Sequence, residues 1–239
     1  MTEKEKIIET LRSQLEGRDD VHAFWVEGSV AQGYSDEYSD IDLWLSVDDD
    51  KVFTMFPVVE EALKKIGKID FRYTVKKVGE LGQNLYHLAG MNEFHSIDVN
   101  VRGVSNPARL VSGIDNADVV FEKSDVIKFT ASEPYTQEDL EKSREKLYKF
   151  YWYMEKCIRK NILRRRPLEA LYYYQLILRY ATRFLRLKYN LKEKREYDLK
   201  HIYRDIPEEE TYKLESLYDV QVSNINNKLP ELETWIKEL

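Results

Sequence analysis

The chain has 239 residues, a third of them charged and 43% hydrophobic, and its 37 Lys and Arg against 43 Asp and Glu give a formal net charge of −6. That balance argues against a protein whose main task is gripping nucleic acid, which depends on neutralising many phosphates, and no apolar run approaches the ~20 residues a helix needs to span a bilayer. Cys157 is the only cysteine and no signal-peptide pattern is seen in Met1-Thr2-Glu3-Lys4-Glu5-Lys6, so the expectation is a cytoplasmic protein without intrachain disulfides.

In chain order, Ile7, Ile8, Leu11 and Leu15 fall at helical spacing, which predicts a helix over residues 2–16 starting at Thr2. His22-Ala23-Phe24-Trp25-Val26 reads as a short buried strand ending at Gly28-Ser29, where glycine permits a sharp turn and a close approach to a ligand. Residues 29–33 can begin a short helix whose N-terminus attracts phosphate oxygens. A second strand is predicted over residues 40–47. Alternation places Ile41, Leu43 and Leu45 on a core face and Asp40, Asp42 and Trp44 on the other, with the two aspartate Cβ atoms roughly 6–7 Å apart. Two carboxylates so placed can converge on a divalent ion, and Mg²⁺ favours a few carboxylates plus substrate phosphates.

Asp48-Asp49-Asp50 is expected to supply acidic capping to a helix running to about residue 65 and stopping at Gly67. Strands follow over residues 69–75, 85–89 and 94–101, the last two forming a hairpin around Gly90-Met91-Asn92-Glu93. In the last strand Ile97, Val99 and Val101 face inward and Ser96, Asp98 and Asn100 outward, so Asp98 repeats the pattern of Asp40 and Asp42. If the two strands are neighbours, Asp98 completes a set of three carboxylates and can take the proton of an attacking hydroxyl. His95 falls on the face opposite Asp98 and reads as structural.

Gly28-Ser29-x-Ala31-x-Gly33 followed by Ser39-Asp40-x-Asp42-Leu43 resembles the signature of the DNA polymerase β-type nucleotidyltransferase superfamily. Within it, the chain is most similar to the antibiotic nucleotidyltransferases that adenylylate aminoglycosides and lincosamides. The resemblance covers roughly the first 130 residues, with Val119-Val120-Phe121-Glu122-Lys123 as the last strand. It implies ATP or another nucleoside triphosphate as donor, Mg²⁺ as cofactor, a small hydroxyl-bearing acceptor and pyrophosphate as leaving group. By position it implies Asp40 and Asp42 as metal ligands, Asp98 as third ligand or base, and Gly28, Ser29 and Ser39 as nucleotide contacts. Many relatives carry a basic residue beside the Gly-Ser turn, where this chain has Val30 and Gln32, so a phosphate-binding cation must come from elsewhere. Lys146 and Lys149 are candidates on the expectation that the domain junction faces the cleft.

The expected fold class is α+β: an α/β domain with a mixed sheet over residues 1–131, then a helical bundle over residues 132–239, with the boundary at Ser132-Glu133-Pro134. Thr136 to Asp139 reads as a cap opening a long helix with Leu147, Phe150, Tyr151, Met154 and Ile158 on one face. Pro167 opens a second helix with an inward stripe of Leu171, Leu178, Ala181 and Leu185. Further helices are predicted over residues 194–203, 208–217 and 229–239. Arg179, Arg183 and Arg186 share a face that reads first as solvated and paired with acidic neighbours, and otherwise as a phosphate contact. Of Tyr172, Tyr173 and Tyr174, at least one belongs to a core. Arg195 and His201 weakly resemble the Arg-to-His spacing of HEPN ribonucleases. The alternatives to a small acceptor are a protein or RNA acceptor, as in toxin–antitoxin nucleotidyltransferases, and a catalytically silent nucleotide-binding protein. A homodimer is compatible with the sequence.

Overall fold

A computed structural model describes residues 2–31, 33, 35–79, 81–112, 114–131, 133–191 and 198–239. They form two compact units, Met1–Ala131 and Ser132–Leu239, the first α+β and the second helical.

The first unit opens on helix α1 (Glu3–Leu15), where Thr2 and Glu5 close a capping box. Its Ile7, Leu11 and Leu15 are buried. A six-stranded mixed sheet follows, built from β1 (Val21–Glu27), β2 (Ile41–Val47), β3 (Ile69–Val78), β4 (Leu81–Leu88), β5 (Ile97–Gly103) and β7 (Asp118–Glu122) in the order β3-β4-β5-β2-β1-β7. A four-residue helix α2 (Gly28–Ala31) follows β1, and helix α3 (Met55–Lys64) follows β2. All neighbouring strands are antiparallel except β2 and β5, which run parallel. Strands β6 (Ala108–Val111) and β8 (Ile127–Thr130) form a separate parallel pair.

The two faces of the large sheet differ in what covers them. Ile41, Leu43, Leu45, Ile97, Val99 and Val101 pack with residues of α1 and α3 into the main core. Ala23 and Trp25 on the opposite face join Ala108, Leu110 and Ile127 of the β6–β8 pair, with Trp44 packed alongside. Burial on both sides explains why residues 22–26 read as an almost continuous apolar run.

Several local expectations need correction. Asp48-Asp49-Asp50 does not cap α3, which begins at Met55 behind Thr54. Asp48 meets His22 Nε2 at 2.7 Å, Asp49 accepts from the Ser105 amide at 3.0 Å and Asp50 pairs with Lys51, so the three carboxylates go to three different partners. The predicted hairpin exists, but its first strand begins earlier, at Leu81, and its second is shifted to Ile97–Gly103, so the loop is wider and Phe94, His95 and Ser96 stay outside β5. His95 instead contacts the Glu37 carbonyl through Nε2 at 2.8 Å.

The second unit pairs α4 (Gln137–Leu163) with α5 (Pro167–Tyr189), followed by α6 (Ile202–Asp205), α7 (Glu208–Tyr218) and α8 (Ile225–Glu238). Leu147, Ile158, Leu178, Ala181 and Leu185 are buried in its core, Tyr174 with them, while Tyr172 is exposed. The Tyr174 hydroxyl donates to the Leu217 carbonyl at 3.1 Å. Arg179 and Arg183 both pair with Asp198, and Arg186 pairs with Asp205 and donates to two backbone carbonyls, as a face with acidic neighbours should. Of the helix predicted over residues 194–203, residues 194–197, Arg195 among them, lie outside the described residues, and residues 198–201 are turn until α6 begins at Ile202.

Thr136 closes a second capping box with Asp139 at the start of α4. Thr136→Ala should cost about 1 kcal/mol, read as a lower denaturation midpoint.

Candidate active site

The register of the sheet assembles the site. Glu27 on β1 lies opposite Asp42 on β2, and Asp42 lies opposite Asp98 on β5. Residues directly opposed across strands project to the same face, so three carboxylates from three strands form one row. Leu85 on β4 and Tyr73 on β3 extend the row.

Gly28 stands immediately after β1 with φ +72°. A Cβ built there would lie 1.8 Å from Asp42 Oδ2, so the backbone turn presses directly on the carboxylate. Ser29 follows in α2, and its hydroxyl makes no hydrogen bond among the described residues. Gln32 lies outside them.

Asp98 is half-buried. Gln83 Nε2 donates to both of its oxygens, at 3.0 and 2.8 Å, and Asn100 Nδ2 to Oδ1 at 3.0 Å. Burial nonetheless dominates and, with the charges of Asp42 and Asp40 adding to it, pushes the carboxyl up to about 6 against the hydrogen bonds that favour its charged form. Protonation of Asp98 is therefore easier in the folded chain than in the unfolded one. Between about 6 and the ordinary value of 3.8 this group adds stability as the pH falls. Gln83→Leu removes the amide nitrogen that makes two hydrogen bonds to the carboxylate and should move the Asp98 titration above about 6, measured by NMR on metal-free protein.

Asp40 is placed differently from Asp42. It precedes β2 and is exposed, and its Oδ1 accepts from the Ser96 amide at 2.6 Å and the Ser96 hydroxyl at 2.8 Å. Ser39 is tied into its own loop, its hydroxyl donating to Asp36 Oδ1 at 2.7 Å and accepting from the Asp36 amide at 2.9 Å. Lys149 lies in the helical unit, on α4, paired with Glu145 at 2.5 Å.

Glu27 is a member of the row that the sequence motifs do not include. Trp25 Nε1 donates to its Oε1 at 2.7 Å. Burial, reinforced by Asp115 and Asp42, raises its carboxyl above the usual range despite that bond and the charge of Arg102. The Arg102 guanidinium lies 5.5 Å from the centre of the Trp44 ring, which itself stacks on Trp25 at 5.9 Å. Alternation from Trp25 is the signal that could find it, since it puts Glu27 on the face of Trp44 and Asp42.

Among the described residues, no three His, Cys, Asp or Glu side chains are grouped so as to hold a metal ion. A preformed cage is not what Mg²⁺ requires. It keeps several waters and takes one or two carboxylates together with substrate phosphates. Asp42 and Asp98, neighbours in register, fit that smaller donor set.

No protein-family model and no curated protein matches the chain. Among solved structures, the GLD-2/RNP-8 complex aligns with a TM-score of 0.33 and 9% identity, over 96% of this chain and 73% of that one. The spectinomycin adenyltransferase AAD(9) from Enterococcus faecialis, with ATP and spectinomycin, aligns with a TM-score of 0.32 and 9% identity, over 97% and 88%. A protein described as a nucleotidyltransferase from H. pylori aligns with a TM-score of 0.30 and 10% identity, over 100% and 96%. Likeness at this level transfers no residue roles to the present chain.

Proposed function

We propose that this protein transfers a nucleoside monophosphate, AMP from ATP in the simplest case, to a hydroxyl of a small molecule. The observation that carries the reading is the side-by-side placement of Asp42 and Asp98 on a parallel strand pair, with the Gly28 turn against Asp42.

Gly28 and Ser29 hold the triphosphate at the β1 end of the row through backbone N–H groups and the Ser29 hydroxyl. Asp42 and Asp98 would hold Mg²⁺, and the ion would supply charge neutralisation at the phosphates. Asp40, fixed by Ser96 at the entrance of β2, adds negative charge near the same ion. Asp98 is placed to accept the proton of the acceptor hydroxyl. The hydroxyl oxygen then bonds to the α-phosphorus, the bond from that phosphorus to the bridging oxygen breaks, and pyrophosphate leaves with the electron pair. Glu27 lies beside Asp42 on the neighbouring strand and adds to the negative field of the row. Positioning and electrostatics account for the rate, as in other phosphorus displacements.

The test is pyrophosphate release from each of the four nucleoside triphosphates with Mg²⁺, across aminoglycosides, spectinomycin and lincosamides, with Asp42→Asn as control. Release that needs both one acceptor and Asp42 is the expected result. Triphosphate binding with no release from any acceptor overturns the small-molecule reading and favours a macromolecular acceptor or a silent binding protein.

A further inference from the structure

The row of carboxylates does not end at Asp98. Across β4 it meets Leu85, and across β3 it meets Tyr73, with Phe71 two residues along the same strand and opposite His87. Phe71, Tyr73, Leu85 and His87 therefore share the sheet face of Asp42 and Asp98. β3 is the sheet edge, and its two aromatic rings are 54% and 56% exposed. Apolar surface of this kind beside a catalytic row calls for an occupant. Arg72, which lies between the two aromatics in sequence, points the other way and pairs with Glu60 of α3 at 3.1 Å. His87 Nδ1 meets Asp70 at 2.6 Å, so the platform is bordered by a carboxylate there and by Asp98 on the other side.

In-line displacement decides which side of the row the acceptor uses. The attacking and leaving oxygens lie on opposite sides of the phosphorus. Gly28 and Ser29 lie at the β1 end, so pyrophosphate departs on that side and the acceptor arrives over β5, β4 and β3. Tyr73 is two strands from Asp98, about 10 Å at ordinary strand spacing. A ring compound laid over Leu85 and Tyr73 would lie on the approach to Asp98.

We propose that Tyr73 and Phe71 form the acceptor platform and that the acceptor is a saturated ring bearing hydroxyls, stacked by its C–H face on Tyr73. This rests on the transferase reading above. Aromatic rings suit a ligand with one apolar face and a polar rim.

The experiment measures acceptor KM, kcat and direct ATP binding by calorimetry for wild type, Tyr73→Ala, Phe71→Ala and Tyr73→Phe. Spectinomycin, aminoglycosides and lincosamides serve as ring acceptors, with glycerol and an RNA oligomer as ring-free and polyanionic controls. Both tyrosine variants should fold, because the side chain is more than half exposed. The expected result is a rise in acceptor KM of about tenfold in Tyr73→Ala, a smaller change in kcat, unchanged ATP affinity, and restoration in Tyr73→Phe. Unchanged KM in both alanine variants overturns the platform and leaves the transferase intact. Turnover confined to glycerol or RNA, or ATP binding with no turnover on any ring compound, also overturns it. A change of sedimentation state in Tyr73→Ala assigns the face to a second copy of the chain instead. Absence of ATP binding in wild type defeats the transferase reading itself, and the platform with it.

Discussion

Asp42→Asn is expected to lower turnover by roughly 10³-fold while the melting temperature holds or rises. The two outcomes share one cause. Asp42 sits between Glu27 and Asp98, and its charge is among the causes that raise both of their carboxyls. Asparagine keeps the shape and removes the charge, so the repulsion on both sides falls and the Asp98 titration moves down from about 6. Under the proposed transfer reaction, the same change would also remove a ligand from the ion that would hold the triphosphate. A gain in stability at the expense of activity is the usual signature of a like-charged site. Calorimetry on the variant and pyrophosphate release under identical conditions read the two effects together. Full activity would exclude Asp42 from the site, and a lower melting temperature would mean that its carboxylate makes a net favourable contribution to the fold.

Gly28→Ala is expected to abolish turnover for a steric reason. Its φ of +72° penalises any side chain, by about 1–2 kcal/mol, and the added Cβ would stand 1.8 Å from Asp42 Oδ2. The carboxylate must then leave its place in the row. Gly33→Ala separates the two effects. Gly33 has φ +74°, and a methyl added there would meet nothing within 4 Å, so it carries the backbone cost without the collision. Both variants should lose similar stability in denaturant titrations, and only Gly28→Ala should lose Asp42 function. Equal loss of activity in the two would point to backbone strain rather than to the displaced carboxylate.

The parts of the fold that are legible in the sequence are those governed by neighbours in the chain. Alternation of Ile41, Leu43 and Leu45, and of Ile97, Val99 and Val101, marks two central strands because their core faces are almost fully buried. Thr136 and Pro167 mark the starts of α4 and α5, since caps and prolines act within one turn. Strand β4 is half hidden because Gly82, Gln83 and Asn84 do not look like a strand. Gly82 is there because a side chain would meet the Phe56 ring at 2.7 Å, and Asn84 is buried donating to the Tyr86 hydroxyl at 2.8 Å. Strands β6 and β8, four residues each, are too short for a period to show. The site divides in the same way. Gly28, Asp42 and Asp98 stand out by local pattern, but Glu27 and Gln83 matter only through strand register, and no local rule reports which strands will be neighbours.

The parallel pairing of β2 with β5 has a kinetic consequence. The Asp40–Ser96 bond at its entrance joins residues 56 positions apart, and the chain between them must complete α3, β3 and β4 before β5 can dock. Non-local pairings of this kind form slowly, because loop closure is paid before any contact rewards it. No fragment that stops short of β5 carries both Asp42 and Asp98. On the proposed transferase reading, ATP affinity should therefore emerge late and abruptly on a ribosome or during refolding, after helical signal has already accumulated, and nucleotide binding would report the final strand insertion.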